Sequence, residues 1–100
     1  MAVIVSVIVP GVTQEQYDKV REAAGWLTQT PEGGIAHLTW WEGRDCHNMD
    51  AWENEAAFQA FSEQRLGPAM AQVGVQVQPQ VTFYPAHEVF LPQAATIRAS

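Results

Sequence analysis

IAHLTWWEGRDCHNMDAW, residues 35–52, is the stretch whose reading decides the fold. Residues 35–41 follow the turn-forming pair Gly33-Gly34 and are rich in β-branched and aromatic side chains, which predicts a strand. Glu42-Gly43-Arg44 is a short connection, and residues 45–52 make a second extended run, so the two form a hairpin. The second of these strands is unusually polar, with Asp45, His47, Asn48 and Asp50.

Working outward toward the N-terminus, Pro31 and the glycine pair mark residues 25–34 as loop. Ahead of the loop, Thr13 is placed as a helix N-cap and Gln16 completes a capping-box pattern. Tyr17, Val20 and Ala24 then fall on one helical face, and Gly25 ends the helix. Residues 2–9 are short, β-branched and stopped by Pro10-Gly11, which predicts a first, buried strand.

Toward the C-terminus, Asn54 caps a second helix whose apolar face carries Ala57, Phe58, Phe61 and Leu66. Gly67-Pro68 interrupts it, with a short continuation to Val73 that Gly74 stops. After a connector over 75–79, residues 81–84 make a fourth strand, with Pro85 at its end or at an edge position. The order is βαββαβ: an α+β domain with a four-stranded antiparallel sheet over residues 1–91, followed by a loosely held tail over 92–100.

Composition fits one such domain: 100 residues, 47% hydrophobic and 16% charged. A chain of this size buries only about 60 to 70% of the surface its unfolded form exposes, so a broad apolar sheet face needs a second covering layer. Eleven acidic residues against five basic ones give a net charge of −6, which repels phosphate backbones and anionic headgroups and excludes nucleic acid as a partner class. Cys46 is the single cysteine, so neither an intrachain disulfide nor a cysteine metal cluster can form, as suits a reducing compartment. The apolar start lacks a basic n-region and a cleavage pattern, and no segment reaches the roughly 18 to 20 apolar residues of a membrane span. The expectation is a cytoplasmic protein without a membrane partner.

Alternation along each strand separates two residue sets. Val3, Val5, Val7 and Val9, with Ala36, Leu38, Trp40, Met49 and Ala51, form uniformly apolar sets expected to lie under the helices. The other face is then expected to gather Ser6, His37, Thr39, Asn48 and Asp50 among Ile4, Ile8, Trp41 and Trp52. Two tryptophans have little reason to face water, and Asp, Asn and His are ill-suited to a dry core without partners. A lined pocket, or a dimer interface enclosing one, fits this mixture.

Within that set His37 and Asp50 lie on neighbouring strands, so an imidazole–carboxylate pair able to move a proton from a phenol or carbon acid is expected. Asn48 can hold a carbonyl or oxyanion through its amide donors, which completes the candidate catalytic group. Trp41 and Trp52 can stack on a flat substrate, with Ser6, Thr39 and, if its segment closes the cavity, His87 as further binding residues. The alternative is that His37, Asp50 and Asn48 satisfy one another across a subunit interface without chemistry. Ser6 has no activating base and no nucleophile elbow. His37, His47 and His87 lack ligand spacing and His47 points away from Asp50, so no metal is expected. Gly33-Gly34 precedes a strand rather than a helix, which removes the usual nucleotide cradle, and no cofactor is expected. Cys46 reads as a quiet thiol.

The order strand, helix, hairpin, helix, strand, with MDAWENEAAFQAFSEQRLGPAM (residues 49–70) running from a strand ending in Asp-x-Trp-Glu into a capped helix with paired Phe residues, resembles the ferredoxin-like dimeric α/β barrel superfamily. Within it, the chain is similar over residues 2–90 to small bacterial proteins related to antibiotic-biosynthesis monooxygenases. The resemblance implies a homodimer of facing sheets and a cavity for a small hydrophobic or aromatic molecule. Cofactor-free oxygenases of this kind use an Asn, a Trp and a His or Tyr around an aromatic substrate. Asn48, Trp52 and His37 supply those residue types, but the resemblance carries the fold and assigns no catalytic triad.

Overall fold

The computed structural model describes residues 1–94 and 96, so residues 95 and 97–100 of the expected tail lie outside the described part. In chain order the elements are β1 (Val3–Pro10), α1 (Gln14–Ala24), β2 (Gly34–Glu42), β3 (Asp45–Trp52), α2 (Glu55–Phe61), a π-helical turn (Ser62–Leu66), α3 (Gly67–Val73) and β4 (Gln80–Pro85). The strands form one antiparallel sheet in the order β2-β3-β1-β4, which is the ferredoxin-like arrangement. Among the described residues no helix is long and apolar enough to cross a membrane.

Local chemistry accounts for the boundaries. The Thr13 hydroxyl accepts from the Gln16 backbone N–H at 3.1 Å, and the Gln16 side chain accepts from the Thr13 N–H at 3.0 Å, a closed capping box. Gly25 ends α1 in the left-handed conformation, donating its N–H to the Arg21 carbonyl. Asn54 caps α2 through the Ala57 N–H at 2.8 Å. In the hairpin, Gly43 at φ 60° takes the first central position of a two-residue turn between the paired Glu42 and Asp45.

Gly67-Pro68 does not interrupt the second helical segment, contrary to the sequence-based expectation. The Gly67 N–H reaches back to the Ser62 carbonyl, and the helix widens by one residue over Ser62–Leu66 just before the proline, which has no N–H to offer. The chain therefore runs from α2 into α3 without a break, and Pro68 occupies the first turn of α3.

The larger correction concerns the faces of the sheet. Register pairs Val5 with Asp50 and Val7 with Asn48, and pairs those residues in turn with His37 and Thr39. The valines of β1 and the polar set of β2 and β3 thus share the face beneath the helices, where Val5, Val7, Val9, Cys46, Trp52, Phe58 and Phe61 make the buried core. Ser6 pairs with Met49 and Thr82 on the opposite face, together with Ile4, Ile8, Leu38 and Trp40. That outer face is mostly apolar, with Ser6, His47 and Thr82 among its aliphatic and aromatic side chains, and among the described residues nothing covers it: Leu38 is 59% and Trp40 38% exposed.

Candidate functional site

Between the helices and the inner sheet face lies a cavity of about 920 Å³, within the range of small-molecule sites. It exists because the inner face is not filled with branched aliphatics throughout. On the β2 side it carries His37, Thr39 and Trp41, and on β3 Asn48, Asp50 and Trp52, all of which line the cavity. Ser6 stands on the other side of the sheet, and His87 lies exposed beyond the end of β4; neither is among the lining residues.

His37 and Asp50 face each other across β2 and β3, and the imidazole Nδ1 is 2.6 Å from Asp50 Oδ1. The second carboxylate oxygen accepts from the Trp52 indole N–H at 3.2 Å. Asp50 is therefore held at both oxygens, and its side chain is only 11% exposed. On the other side of the ring, His37 Nε2 meets the Tyr17 hydroxyl at 2.6 Å, with the phenol and imidazole planes within 3° of each other. The result is a linear chain, Tyr17–His37–Asp50, anchored by Trp52.

Tyr17 is the residue to which the sequence assigns only a place on the helical face shared with Val20 and Ala24. It sits on the apolar stripe of α1 one turn before Val20, and that stripe alone aims its ring at the sheet. A hydroxyl at the end of a stripe residue facing a polar strand was the available signal. Burial pushes the Tyr17 phenol up to about 12, against a smaller opposing effect of Arg21, so the hydroxyl keeps its proton.

Aromatic rings enclose this chain. Trp26, in the loop after α1, lies 5.2 Å from the imidazole at 60°, and touches Tyr17 and Phe61 edge-on. Trp41 meets Tyr17 edge-on and is fixed by its indole N–H to the Val12 carbonyl at 2.7 Å. The Trp26 loop is in turn tied down by Arg65 from the π-helical turn. Its guanidinium donates to the carbonyls of Ala24 at 2.7 Å and Gln29 at 2.8 Å while lying over the Phe61 ring.

Deeper in the sheet, the Asn48 amide N–H donates to the Val7 carbonyl at 3.1 Å and toward Cys46 Sγ at 3.6 Å. Those donors are thus committed, and the atom left without a partner is the buried acceptor Oδ1. This differs from the oxyanion-holding role expected from the sequence, in which the amide donors would be free. Thr39 lies 3.7 Å from the same sulfur, and burial pushes the Cys46 thiol up, keeping it in the unreactive form.

No family model matches the sequence, and no curated protein matches it. Solved structures do. A protein of unknown function from Nitrosomonas europaea superposes with a TM-score of 0.69 at 15% identity, over 92% of this chain and 95% of that one. SnoaB, a cofactor-independent oxygenase from Streptomyces nogalater, gives 0.63 at 14% identity over 92% and 97%. A proposed antibiotic biosynthesis monooxygenase from Deinococcus radiodurans gives 0.57 at 15% identity over 90% and 96%. The chain thus has the ferredoxin-like fold of antibiotic-biosynthesis-monooxygenase-like proteins. At these identities the likeness is one of fold.

Proposed function

We propose that this chain is a cytoplasmic homodimer whose cavity takes a small, flat hydrophobic or aromatic molecule and moves a proton from it without a cofactor. The observation that carries the reading is the Tyr17–His37–Asp50 chain, with both links at 2.6 Å, set in an aromatic-walled cavity. An imidazole oriented by a buried carboxylate is a base whose conjugate acid is stabilised by that carboxylate. Removing a proton from a phenol or carbon acid leaves an anion. That anion either takes the proton back at another atom, as an isomerase or cyclase requires, or reacts with dioxygen. In the second course dioxygen is the oxidant, the proton returns from His37 to form a hydroperoxide, and loss of water gives a ketone. The fold shared with SnoaB supports the oxygenase branch.

A second reading, a binding protein without chemistry, draws on the same geometry, because both nitrogens of His37 already have partners within the chain. Dioxygen uptake and product formation over a panel of phenolic and carbon-acid polycycles separate the two readings. Turnover that falls at least a hundredfold in His37→Ala supports the enzyme; turnover unchanged in that variant refutes the site.

The uncovered apolar face, with Ile4, Ile8, Leu38, Trp40, Met49 and Tyr84, supports the homodimer, since a sheet needs a layer on each apolar side. Sedimentation is expected to give a dimer at micromolar concentration and a monomer for Leu38→Lys. A wild-type monomer would overturn the assembly.

A further inference from the structure

Most of the cavity wall belongs to helices and strands, which their backbone hydrogen bonds hold in place. Loops supply the rest, above all the one between α1 and β2, which contributes Trp26, Leu27, Thr30 and Pro31. Leu27 and Thr30 line the cavity and are exposed at the same time, so this loop is one residue thick there, with the half-buried Trp26 as its plug. It begins at Gly25 and ends at Gly33, at φ 70° and 83°, two positions where the backbone turns without a side chain to hinder it. Its own hydrogen bonds are local turns: the Gln29 N–H to the Gly25 carbonyl at 2.8 Å near one end, and the Gly34 N–H to the Pro31 carbonyl at 3.0 Å at the other. Arg65 reaches it from the π-helical turn. Nη2 carries two hydrogens and lies 2.7 Å from the carbonyl of Ala24, the last residue of α1, and 2.8 Å from that of Gln29, in the middle of the loop. Capping the end of α1 needs only the bonds to Ala24, where Nε also donates at 3.0 Å. The bond to Gln29 is additional, and it bridges the Gly25 turn.

We infer that the loop over residues 25–33 is the door of the cavity, hinged at Gly25 and Gly33, and that Arg65 is its latch, the positioning residue that holds Trp26 over the site. The inference rests on the reading of the cavity as a ligand site and adds how a ligand enters and leaves it. Closed, the loop sets Trp26 5.2 Å from the His37 imidazole and edge-on to Tyr17 and Phe61. Opening breaks the Arg65–Gln29 bond and these ring contacts, and leaves the backbone bonds of α1 and of the sheet intact. Arg65 keeps its bonds to Ala24 and its place over the Phe61 ring as the loop swings away, so the guanidinium stays beside the hinge, ready to close it again. Entry and exit use the same opening. The latch bond lies within the chain and is there with or without a ligand, so the open fraction multiplies both rate constants and cancels from their ratio.

The test is stopped-flow binding of N-phenyl-1-naphthylamine, a neutral aromatic dye whose emission rises in apolar surroundings, to the full chain. Arg65→Met keeps an apolar stem against Phe61 and removes the donors. It is expected to raise the association and dissociation rate constants together, each by about tenfold or more, the worth of a hydrogen bond from a charged donor, with Kd unchanged to within about threefold. Arg65→Lys, which keeps the charge and part of the donor capacity, is expected to fall between the two. A rise in Kd through dissociation alone is what a merely structural Arg65 would give. That result, or rates unchanged by either substitution, as for entry past the 75–79 connector, would overturn the door while leaving the cavity as a binding site. If Arg65→Met does not fold, Arg65→Lys carries the test by hydrogen exchange as well: the Gln29 amide is expected to exchange about threefold faster or more than in the wild type, with the Val20 amide in α1 unchanged. Equal acceleration of both amides would mark a general loss of stability and overturn the latch. Failure of the dye to bind the wild type would overturn the cavity reading and the door with it.

Discussion

Replacing Asp50 by Asn changes one atom and, on this geometry, reverses the direction of the whole chain. Asp50 accepts from His37 Nδ1 at 2.6 Å and from the Trp52 indole at 3.2 Å. An amide can accept on one side only. If its oxygen faces His37, its NH2 faces the indole N–H, and two buried donors oppose each other at a cost of about 1–3 kcal/mol. If its oxygen faces Trp52, its NH2 donates to a His37 ring that has moved its hydrogen to Nε2, and Tyr17 turns to accept. Every bond is then made. The second arrangement wins by the cost of the clash, a ratio of roughly 5 to 150 at room temperature. Loss of the charge-assisted bond to His37 costs about 1–2 kcal/mol of stability, read as a lower urea midpoint at unchanged slope. The direct assay is the ring nitrogen shift pattern of His37 in ¹⁵N NMR, expected as Nδ1–H in the wild type and Nε2–H in the variant. An unchanged tautomer in Asp50→Asn would refute the polarity argument, and with it the account of how the base is set. Catalysis of proton transfer should fall by about 10²–10⁴ because the lone pair no longer faces Tyr17.

Three further outcomes follow from other parts of the structure. Gly33→Ala is expected to destabilise by about 2–4 kcal/mol in urea unfolding, because φ is +83° and the new Cβ would stand 2.6 Å from that of Ala57. Tyr17 has its pKa raised to about 12 in the folded state. Its contribution to stability is therefore complete below pH about 10 and lost as pH rises toward about 12, because the unfolded chain ionises first. Over that window the wild type should lose stability faster than Tyr17→Phe, and parallel pH profiles would contradict the burial of the phenol. Cys46, 1% exposed with its thiol pushed up, should react with a disulfide reagent at pH 8 only at the rate of unfolding; rapid modification of the native chain would place the thiol at the surface.

What the sequence disclosed were the features whose causes are local. The capping box of Thr13 and Gln16, the Asn54 cap, the Gly25 and Gly74 stops and the hairpin turn at Gly43 each involve residues within four positions of one another, and each was expected from spacing alone. The continuous passage through Gly67-Pro68 is hidden in the sequence because a proline signals a break, whereas the π-helical turn that absorbs it depends on a backbone bond from Gly67 to Ser62 that no composition rule displays. Tyr17 was placed on the correct helical face but not in the site, since its partner lies 20 residues away on a different element.

The assignment of sheet faces shows where alternation stops being informative. Parity within one strand says which side chains go together, but joining the parities of two strands needs the register. A strand reading Val-Ile-Val-Ser-Val-Ile-Val is apolar on both sides and pins neither. The sequence-based choice placed the polar residues on the face away from the helices; the observed register places them beneath the helices with Val5 and Val7. The consequence is a separation of tasks. His37 and Leu38 are adjacent in the chain yet emerge on opposite sides of the sheet, one toward the cavity and the other toward the uncovered apolar surface. Under the earlier grouping a single face would have had to serve both a partner subunit and a ligand, so that polar residues satisfied by assembly would have been unavailable for chemistry. With the faces divided, the Tyr17–His37–Asp50 chain lies within a single polypeptide, and a partner seated on Leu38 and Trp40 would not need to touch it.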